Sequence, residues 1–247
     1  MQIVLIGAGN MGLAMLKGLS KFDITVVEKN QERLEYIKKN FSNISTTTSI
    51  PDITNKVVLL AIKPQSLDSL EISGKAKALI SILAGVTIER LKSKIEATYY
   101  IRAMPNIAAL KQKSVTSVTG DIEFKEEALT ILSSIGKAIW LNSQKELDIA
   151  TALAGSAPAW LAIVAEALSD GAVNMGLSRD KSYEYLGALF EGVGATLEDI
   201  KPSSLKDMVS SPNGTTIAGI ETLEDYKVRA AFIQAIKSAT KRAKELN

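Results

Sequence analysis

A glycine-rich hexapeptide near the N-terminus has the spacing used to bind nucleotide phosphates. The segment Gly7-Ala8-Gly9-Asn10-Met11-Gly12 directly follows the apolar run Ile3–Ile6 and opens a stretch with helical periodicity. Its glycines permit a tight turn, and the free N–H groups of the following helix favour a pyrophosphate. A strand, this motif and a helix in that order predict a dinucleotide-binding turn, in which Ile6 is also a candidate contact.

The end of the second predicted strand bears on which dinucleotide is preferred. Glu28 follows Ile24–Val27, and an acidic residue at this place commonly binds the hydroxyl groups of the adenosine ribose, which favours NADH over NADPH. Lys29 and Asn30 come next and are suited to a 2′-phosphate instead. The predicted cofactor is therefore NADPH or NADH.

Three further motifs close predicted strands. They are Ala61-Ile62-Lys63-Pro64, Leu83-Ala84-Gly85 and Met104-Pro105-Asn106. Ligands of doubly wound folds bind at the carboxyl ends of the strands, so the first two motifs are candidate cofactor contacts. Pro105 disfavours a helical conformation at Met104, and the Asn106 side chain is able both to donate and to accept hydrogen bonds.

Two segments stand out in the C-terminal half. Leu153–Trp160 places Gly155 and Pro158 inside a helical pattern, where proline alone costs about 3 kcal/mol, so we expect a kink or a close backbone approach. Ser210–Thr216 predicts a turn that feeds a helix, whose first N–H groups suit a small carboxylate. A turn at a domain boundary and plain helix capping are the alternative interpretations.

The composition excludes several kinds of catalysis. The chain contains no His and no Cys, which rules out a Ser-His-Asp triad, a thiol nucleophile and the usual zinc ligand sets. No metal site is predicted. The 29 Lys and Arg residues nearly balance the 27 Asp and Glu residues, so the charge indicates neither a nucleic-acid nor a membrane partner.

Alternating strand-like and helix-like stretches predict an α/β, Rossmann-type doubly wound sheet followed by an all-helical domain. The boundary is expected between residues 143 and 144, giving domains 1–143 and 144–247. The predicted strands are Ile3–Ile6, Ile24–Val27, Val57–Ile62, Ala78–Leu83, Tyr99–Ala103, Val115–Val118 and Ala138–Leu141. The predicted helices are Gly12–Ser20, Gln31–Asn40, Lys125–Ser134, Leu147–Met175, Arg179–Asp199 and Val228–Leu246.

The sequence shows no feature typical of secretion or membrane insertion. The N-terminal apolar run breaks at Gly7, and the longest apolar stretches, Val57–Ile62 and Ala78–Val86, are shorter than the roughly 20 residues that span a bilayer. We therefore expect a cytoplasmic protein.

Taken together, the motifs resemble those of the pyrroline-5-carboxylate reductase family from Ile3 to about Leu246. The matching segments are GAGNMG, AIKP, LAGV, IRAMPN and LKDMVSSPNGTTIAGIETLE at Leu205–Glu224. The resemblance implies hydride transfer from NADPH or NADH to the C=N carbon of a cyclic imino acid, giving L-proline. It also implies a homodimer, or an assembly of dimers, joined through the helical domain.

The family pattern also implies roles for single residues. The turn that contains Ser211, Asn213, Gly214 and Thr215 is expected to bind the substrate carboxylate through backbone N–H groups. Thr216 is expected to be the catalytic residue, hydrogen-bonded near the ring nitrogen. Asn106 and Ser156 are expected to shape the substrate and nicotinamide pocket.

The chain departs from the family pattern at the pocket wall. It has AGSAPAW where the family often has SGSGPAY, so Ala157 replaces a glycine and Trp160 replaces a tyrosine. Two alternatives remain. The first is a β-hydroxyacid dehydrogenase, but that group needs a lysine in the corresponding helix, and no lysine lies between Lys145 and Lys181. The second is a non-catalytic dinucleotide sensor, which would not need the SPNGTT turn that this chain retains.

Overall fold

The computed structural model describes residues 1–245, and its N-terminal part is built on one eight-stranded sheet. The strands are β1 (Gln2–Ile6), β2 (Asp23–Val27), β3 (Ser45–Thr47), β4 (Val57–Leu60), β5 (Ala76–Ser81), β6 (Ala97–Met104), β7 (Ser114–Gly120) and β8 (Gly136–Trp140). Their order is β3-β2-β1-β4-β5-β6-β7-β8, with only the β6–β7 pair antiparallel. The predicted Rossmann-type fold is confirmed.

Both faces of the sheet are covered, which explains the continuous apolar runs of its central strands. Within β1, Ile3 and Leu5 belong to one buried cluster, and Val4 and Ile6 belong to the other. Side chains alternate between the two faces of a strand, so a strand buried on both faces needs apolar residues at every position.

Ten α-helices accompany the strands in the described part of the chain. They are α1 (Asn10–Leu19), α2 (Gln31–Asn40), α3 (Ile88–Lys92), α4 (Lys125–Leu132), α5 (Gln144–Ala150), α6 (Ala157–Asn174), α7 (Arg179–Thr196), α8 (Pro202–Met208), α9 (Thr215–Asp225) and α10 (Val228–Glu245). The helix predicted to end at Leu246 starts where expected, and Leu246 itself lies outside the described residues.

The predicted helix Leu147–Met175 is not continuous. A π-helical turn, Thr151–Ser156, separates α5 from α6. The reason is visible in the sequence: Pro158 has no N–H group, so the Ala154 carbonyl four residues earlier has no α-helical donor. The expected departure from regular helix between Leu153 and Trp160 is therefore present.

Most other predicted boundaries differ from the structure by a few residues, and one strand was missed. The two strands predicted to end at Ile62 and Leu83 end at Leu60 and Ser81, the last residues paired in register with a neighbouring strand. The missed strand, β3, has only three residues and no apolar side chain. It pairs along β2 as an edge strand, so no hydrophobic pattern marks it.

The chain divides into two compact units. One contains residues 1–156 and 239–245, and the other contains residues 157–238. In the second unit, Ser169 of α6 and Ser182 of α7 are buried and share a hydrogen bond, and the Arg179 guanidinium donates to the Ser169 hydroxyl over 2.7 Å. This polar contact joins the two longest helices of the unit.

Many large apolar side chains of residues 157–238 remain exposed in the single chain. Examples are Leu161, Ile163 and Leu168 on α6 and Leu189 on α7, each about half exposed or more. Within residues 1–245, one helical stretch, Gln144–Asn174, is long and apolar enough by length and composition to cross a membrane. Exposed large apolar side chains that recur along two helices are typical of a surface covered by another molecule.

Candidate functional site

A cleft of about 990 Å³ opens at the carboxyl ends of β1, β2 and β4. The strand order reverses between β1 and β4, which is the place where doubly wound sheets bind ligands. The lining residues are Ile6, Gly7, Gly9, Asn10, Met11, Val27, Glu28, Lys29, Arg33, Thr48, Ser49, Ile50, Ala61, Ile62, Lys63, Ser66, Ser69, Leu70 and Glu71. The volume is at the upper end of the roughly 300–1,000 Å³ common for small-molecule sites.

The glycine turn leaves room for a ligand at its second glycine. Gly7 has φ +95°, and a Cβ atom there would lie 2.7 Å from the Ala61 carbonyl oxygen, so the first position is restricted to glycine. A Cβ at Gly12 would collide with the Gly7 carbonyl oxygen. At Gly9, by contrast, an added Cβ meets no protein atom within 4 Å. The space beside Gly9 therefore lies open at the N-terminus of α1, where N–H groups and the helix dipole favour a phosphate.

Glu28 is fixed beside this turn in an ionised state. Its Oε2 atom accepts the N–H of Ala8 over 2.9 Å, and its Oε1 atom accepts the N–H of Asn30 over 2.9 Å. Partial burial raises the pKa of Glu28, but the backbone N–H groups of Asn30, Ala8 and Lys29, together with the Arg33 charge, outweigh it and hold the pKa below its usual value.

Basic side chains balance Glu28 within the cleft. Arg33 lies 3.6 Å from the Glu28 carboxylate, and Lys29 and Lys63 line the cleft as well. Arg33 is not among the residues predicted from the sequence, because it lies inside α2. Its position in the first turn of that helix, five residues after Glu28, is the sequence feature that indicates a contact with Glu28. The cleft therefore offers a carboxylate for ribose hydroxyls and cations for a phosphate.

Not every candidate cofactor residue lines the cleft. Ala8 is buried and acts through its N–H group, while Asn30 caps α2 by accepting the Arg33 N–H. Pro64 begins a 3-10 turn directly after Lys63. The segment Leu83-Ala84-Gly85 follows β5 and does not line the cleft, and Gly85 has a positive φ of 69°.

Asn106 is almost fully occupied by protein partners. Its Nδ2 atom donates to the Ala154 carbonyl over 2.9 Å, and its Oδ1 atom accepts the Ala108 N–H over 3.2 Å. Its own N–H donates to the Ser114 hydroxyl. Ala154 belongs to the π-helical turn that ends at Ser156. The Asn106 side chain is therefore hydrogen-bonded to the turn that contains Ser156.

The candidate substrate residues of the second unit form a turn followed by a helix, as the sequence predicts. The Gly214 N–H donates to the Ser211 carbonyl, Asn213 has φ +59°, and Gly214 is the residue preceding α9. Thr215 and Thr216 are the first two residues of α9. No side chain caps this helix, so its first N–H groups are available to an anion.

The chain is similar to known proteins over nearly its whole length. A family model described as pyrroline-5-carboxylate reductase dimerisation matches residues 144–246, and one described as NADP oxidoreductase, coenzyme F420-dependent, matches residues 2–85. A pyrroline-5-carboxylate reductase from Helicobacter pylori is 34% identical, with 96% of each chain covered. One from Methanosarcina acetivorans is 35% identical, covering 99% of this chain and 97% of its own. The chain belongs to the pyrroline-5-carboxylate reductase family.

The fold agrees with that membership. A solved pyrroline-5-carboxylate reductase from Coxiella burnetii superimposes with a TM-score of 0.88 at 28% identity, covering 99% of this chain and 98% of the other. Within residues 1–245, no group of three acidic side chains is arranged to hold a metal ion.

Proposed function

We propose that this chain is an NAD(P)H-dependent imine reductase that converts 1-pyrroline-5-carboxylate to L-proline, the last step of proline biosynthesis. One observation carries the proposal: relatives named for this reductase match the chain from end to end at 34–35% identity. The match includes both the glycine turn beside the cleft and the Ser211–Thr216 turn. A dinucleotide sensor would need only the first of these.

The residues of the cleft fit a dinucleotide. The open space beside Gly9 at the start of α1 supports a pyrophosphate site there, and the hydrogen bond between Glu28 and the turn supports Glu28 as the contact for the adenosine ribose. We propose that Gly7–Gly12, Glu28–Asn30 and Ala61–Pro64 bind the cofactor, with Leu83–Gly85 contributing toward the nicotinamide end. When bound, the nicotinamide supplies a hydride.

The substrate chemistry suits a chain without histidine. A protonated imine is already electrophilic: its carbon accepts the hydride while the electrons of the C=N π bond become the lone pair of the amine nitrogen. The protein therefore needs no strong general acid, and positioning supplies much of the rate enhancement.

We propose that the turn before α9 binds the substrate carboxylate. Ser211, Asn213 and Thr215 supply backbone N–H groups and hydroxyls, and Thr216 orients the ring nitrogen. Gly214 shapes the turn, since its own N–H donates to the Ser211 carbonyl. The uncapped first turn of α9 supports this assignment, because its N–H groups lack side-chain partners. Asn106 and Ser156 are proposed to shape the pocket wall.

The proposed partner for the exposed apolar helices is a second copy of the chain, in a dimer or an assembly of dimers. The match to the dimerisation family from residue 144 onward supports both this partner and a domain boundary between residues 143 and 144. Contact with a second copy would also explain why the stretch Gln144–Asn174 is apolar, with no need for a membrane. We propose a cytoplasmic location, in keeping with relatives named for a biosynthetic reductase.

Product analysis tests the proposed reaction. The enzyme is incubated with 1-pyrroline-5-carboxylate and cofactor carrying deuterium at the transferable nicotinamide position. We expect L-proline with deuterium at the former C=N carbon. Unlabelled proline, or no proline while cofactor binding is retained, would overturn the proposal.

A further inference from the structure

A buried ionic cluster lies outside the cleft and contains none of the candidate site residues. Arg102 of β6 is 3% exposed, and its Nη2 atom lies 3.6 Å from Oδ1 of Asp148 on α5. The Nη1 atom of Arg102 donates to Oε1 of Gln144, the first residue of α5, over 3.0 Å. Burial lowers the pKa of Arg102, while the carboxylates of Asp148 and Glu89 act in the opposite direction and keep the cation paired.

Gln144 extends the cluster to a third element. Its Oε1 atom also accepts the N–H of Ile88, the first residue of α3, over 3.0 Å. Its Nε2 atom lies 3.3 Å from a carboxylate oxygen of Glu89 on the same helix. One side-chain amide therefore joins α3, β6 and α5.

Each of these elements leads into a segment that carries proposed site residues. Helix α3 begins three residues after Gly85, β6 ends two residues before Asn106, and α5 continues into the π-helical turn that ends at Ser156. These segments come from separate parts of the chain. The ionic cluster joins α3, β6 and α5, the three elements that adjoin these segments.

A second contact links the π-helical turn to the segment that follows β6. Because Pro158 has no N–H, the Ala154 carbonyl lacks the donor that a regular α-helix would provide. The Asn106 Nδ2 atom takes that place over 2.9 Å. The irregular turn is thus fixed at two points, from β6 by Arg102 through α5 and from the segment after β6 by Asn106 directly.

The energetics of such a cluster favour a geometric role. Removing two charges from water costs about as much as their attraction returns, so a buried ion pair adds little net stability relative to well-packed apolar side chains. The planar guanidinium, however, fixes the directions of its partners. We propose that Arg102 and Asp148, together with Gln144, which joins Arg102 to α3, are positioning residues that align the segments bearing Gly85, Asn106 and Ser156 for hydride transfer. This inference rests on the proposed function.

An apolar replacement separates alignment from stability. In Arg102→Met/Asp148→Leu, which replaces both charged side chains by apolar ones, we expect a folded protein and a dissociation constant for NAD(P)H within about twofold of wild type, since the Gly9 and Glu28 contacts remain. We expect kcat for the imine to fall on the order of 10- to 100-fold, as misplacement by about 1 Å does. Arg90→Met/Asp68→Leu, an exposed pair joined at 2.7 Å that also involves α3, is the matched control and should retain kcat.

A second variant covers the case in which the double variant does not fold. Gln144 is only half-buried, so Gln144→Ala should fold, and we expect it to lower kcat without changing cofactor affinity. Lys145→Ala, at the exposed neighbouring residue, is the control and should retain kcat. Hydrogen exchange of the amides in residues 151–156 should accelerate in both cluster variants and in neither control. Wild-type kcat or unchanged exchange in Gln144→Ala would overturn the proposal, as would parallel losses of cofactor affinity and kcat. A wild-type enzyme that fails to reduce the imine would instead overturn the proposed function, and the exchange measurement would still test the cluster.

Discussion

The carboxylate of Glu28, at the end of β2, accepts the backbone N–H of Ala8 in the glycine turn over 2.9 Å. This bond joins the residue proposed to bind ribose to the turn proposed to bind phosphate. The hydrogen bond therefore fixes the two parts of the proposed adenosine-binding site relative to each other before any ligand arrives. Because the Glu28 pKa lies below its usual value, this carboxylate is charged at neutral pH and repels a 2′-phosphate.

Removing that carboxylate should shift the cofactor preference toward NADPH. For Glu28→Ser we expect the ratio of kcat/KM with NADPH to kcat/KM with NADH to rise about tenfold to hundredfold, since hydrogen bonds to charged groups contribute about 1.5–3 kcal/mol. Glu71→Ser, which removes a carboxylate elsewhere on the cleft wall, is the control and should leave the ratio unchanged. An unchanged ratio in Glu28→Ser would show that Glu28 does not contact the ribose.

Replacing Gly7 and replacing Gly9 in the turn should have different effects. Gly9→Ala places a methyl group in open space, so we expect unchanged thermal stability and a loss of NAD(P)H affinity of at least about tenfold, or about 1.4 kcal/mol. Gly7→Ala is strained by its positive φ and by the Ala61 carbonyl, so it should lower the melting temperature instead. Calorimetry and fluorescence titration of both variants distinguish the effects. Full cofactor affinity in Gly9→Ala would contradict the placement of the pyrophosphate.

The sequence predicted the parts of the site that depend on local geometry. The Gly7–Gly12 turn is recognisable because tight turns and helix starts impose residue types over a few positions, and the Pro158 irregularity is recognisable for the same reason. The direction of β7 and the pairing of Arg33 with Glu28 depend on contacts between elements, and no local pattern encodes them. Arg102 is intermediate: a single cation within an apolar strand signals a buried charge, which must have a partner, but the sequence does not identify Asp148.

Thr216 should affect the imine and not the cofactor. For Thr216→Ala we expect kcat/KM for 1-pyrroline-5-carboxylate to fall on the order of 10²-fold, the size of effect seen when one preorganised hydrogen-bond partner of a transition state is lost. NAD(P)H affinity should not change. Thr222→Ala, on the same helix, loses only a hydrogen bond to the Ala218 carbonyl and is the control. Equal kcat/KM values in the two variants would remove Thr216 from the site.

The exposed apolar side chains of α6 should be covered by a second copy. A charge at one of them, as in Ile163→Glu, has to be buried if that surface forms the interface, so we expect the dimer to dissociate. Light scattering at micromolar concentration measures the mass directly. Gln31→Glu introduces the same charge on α2 and should leave the dimer intact. A wild-type monomer would contradict the proposed assembly.

The most direct test follows the near-ultraviolet absorbance of the reduced cofactor after 1-pyrroline-5-carboxylate is added to the wild-type enzyme, with NADH and NADPH in parallel reactions. We expect enzyme-dependent oxidation of at least one cofactor and one proline formed per cofactor consumed. If cofactor binding is detected by fluorescence but neither NADH nor NADPH is oxidised, the chain does not carry out the proposed reaction, and the dinucleotide sensor becomes the better description.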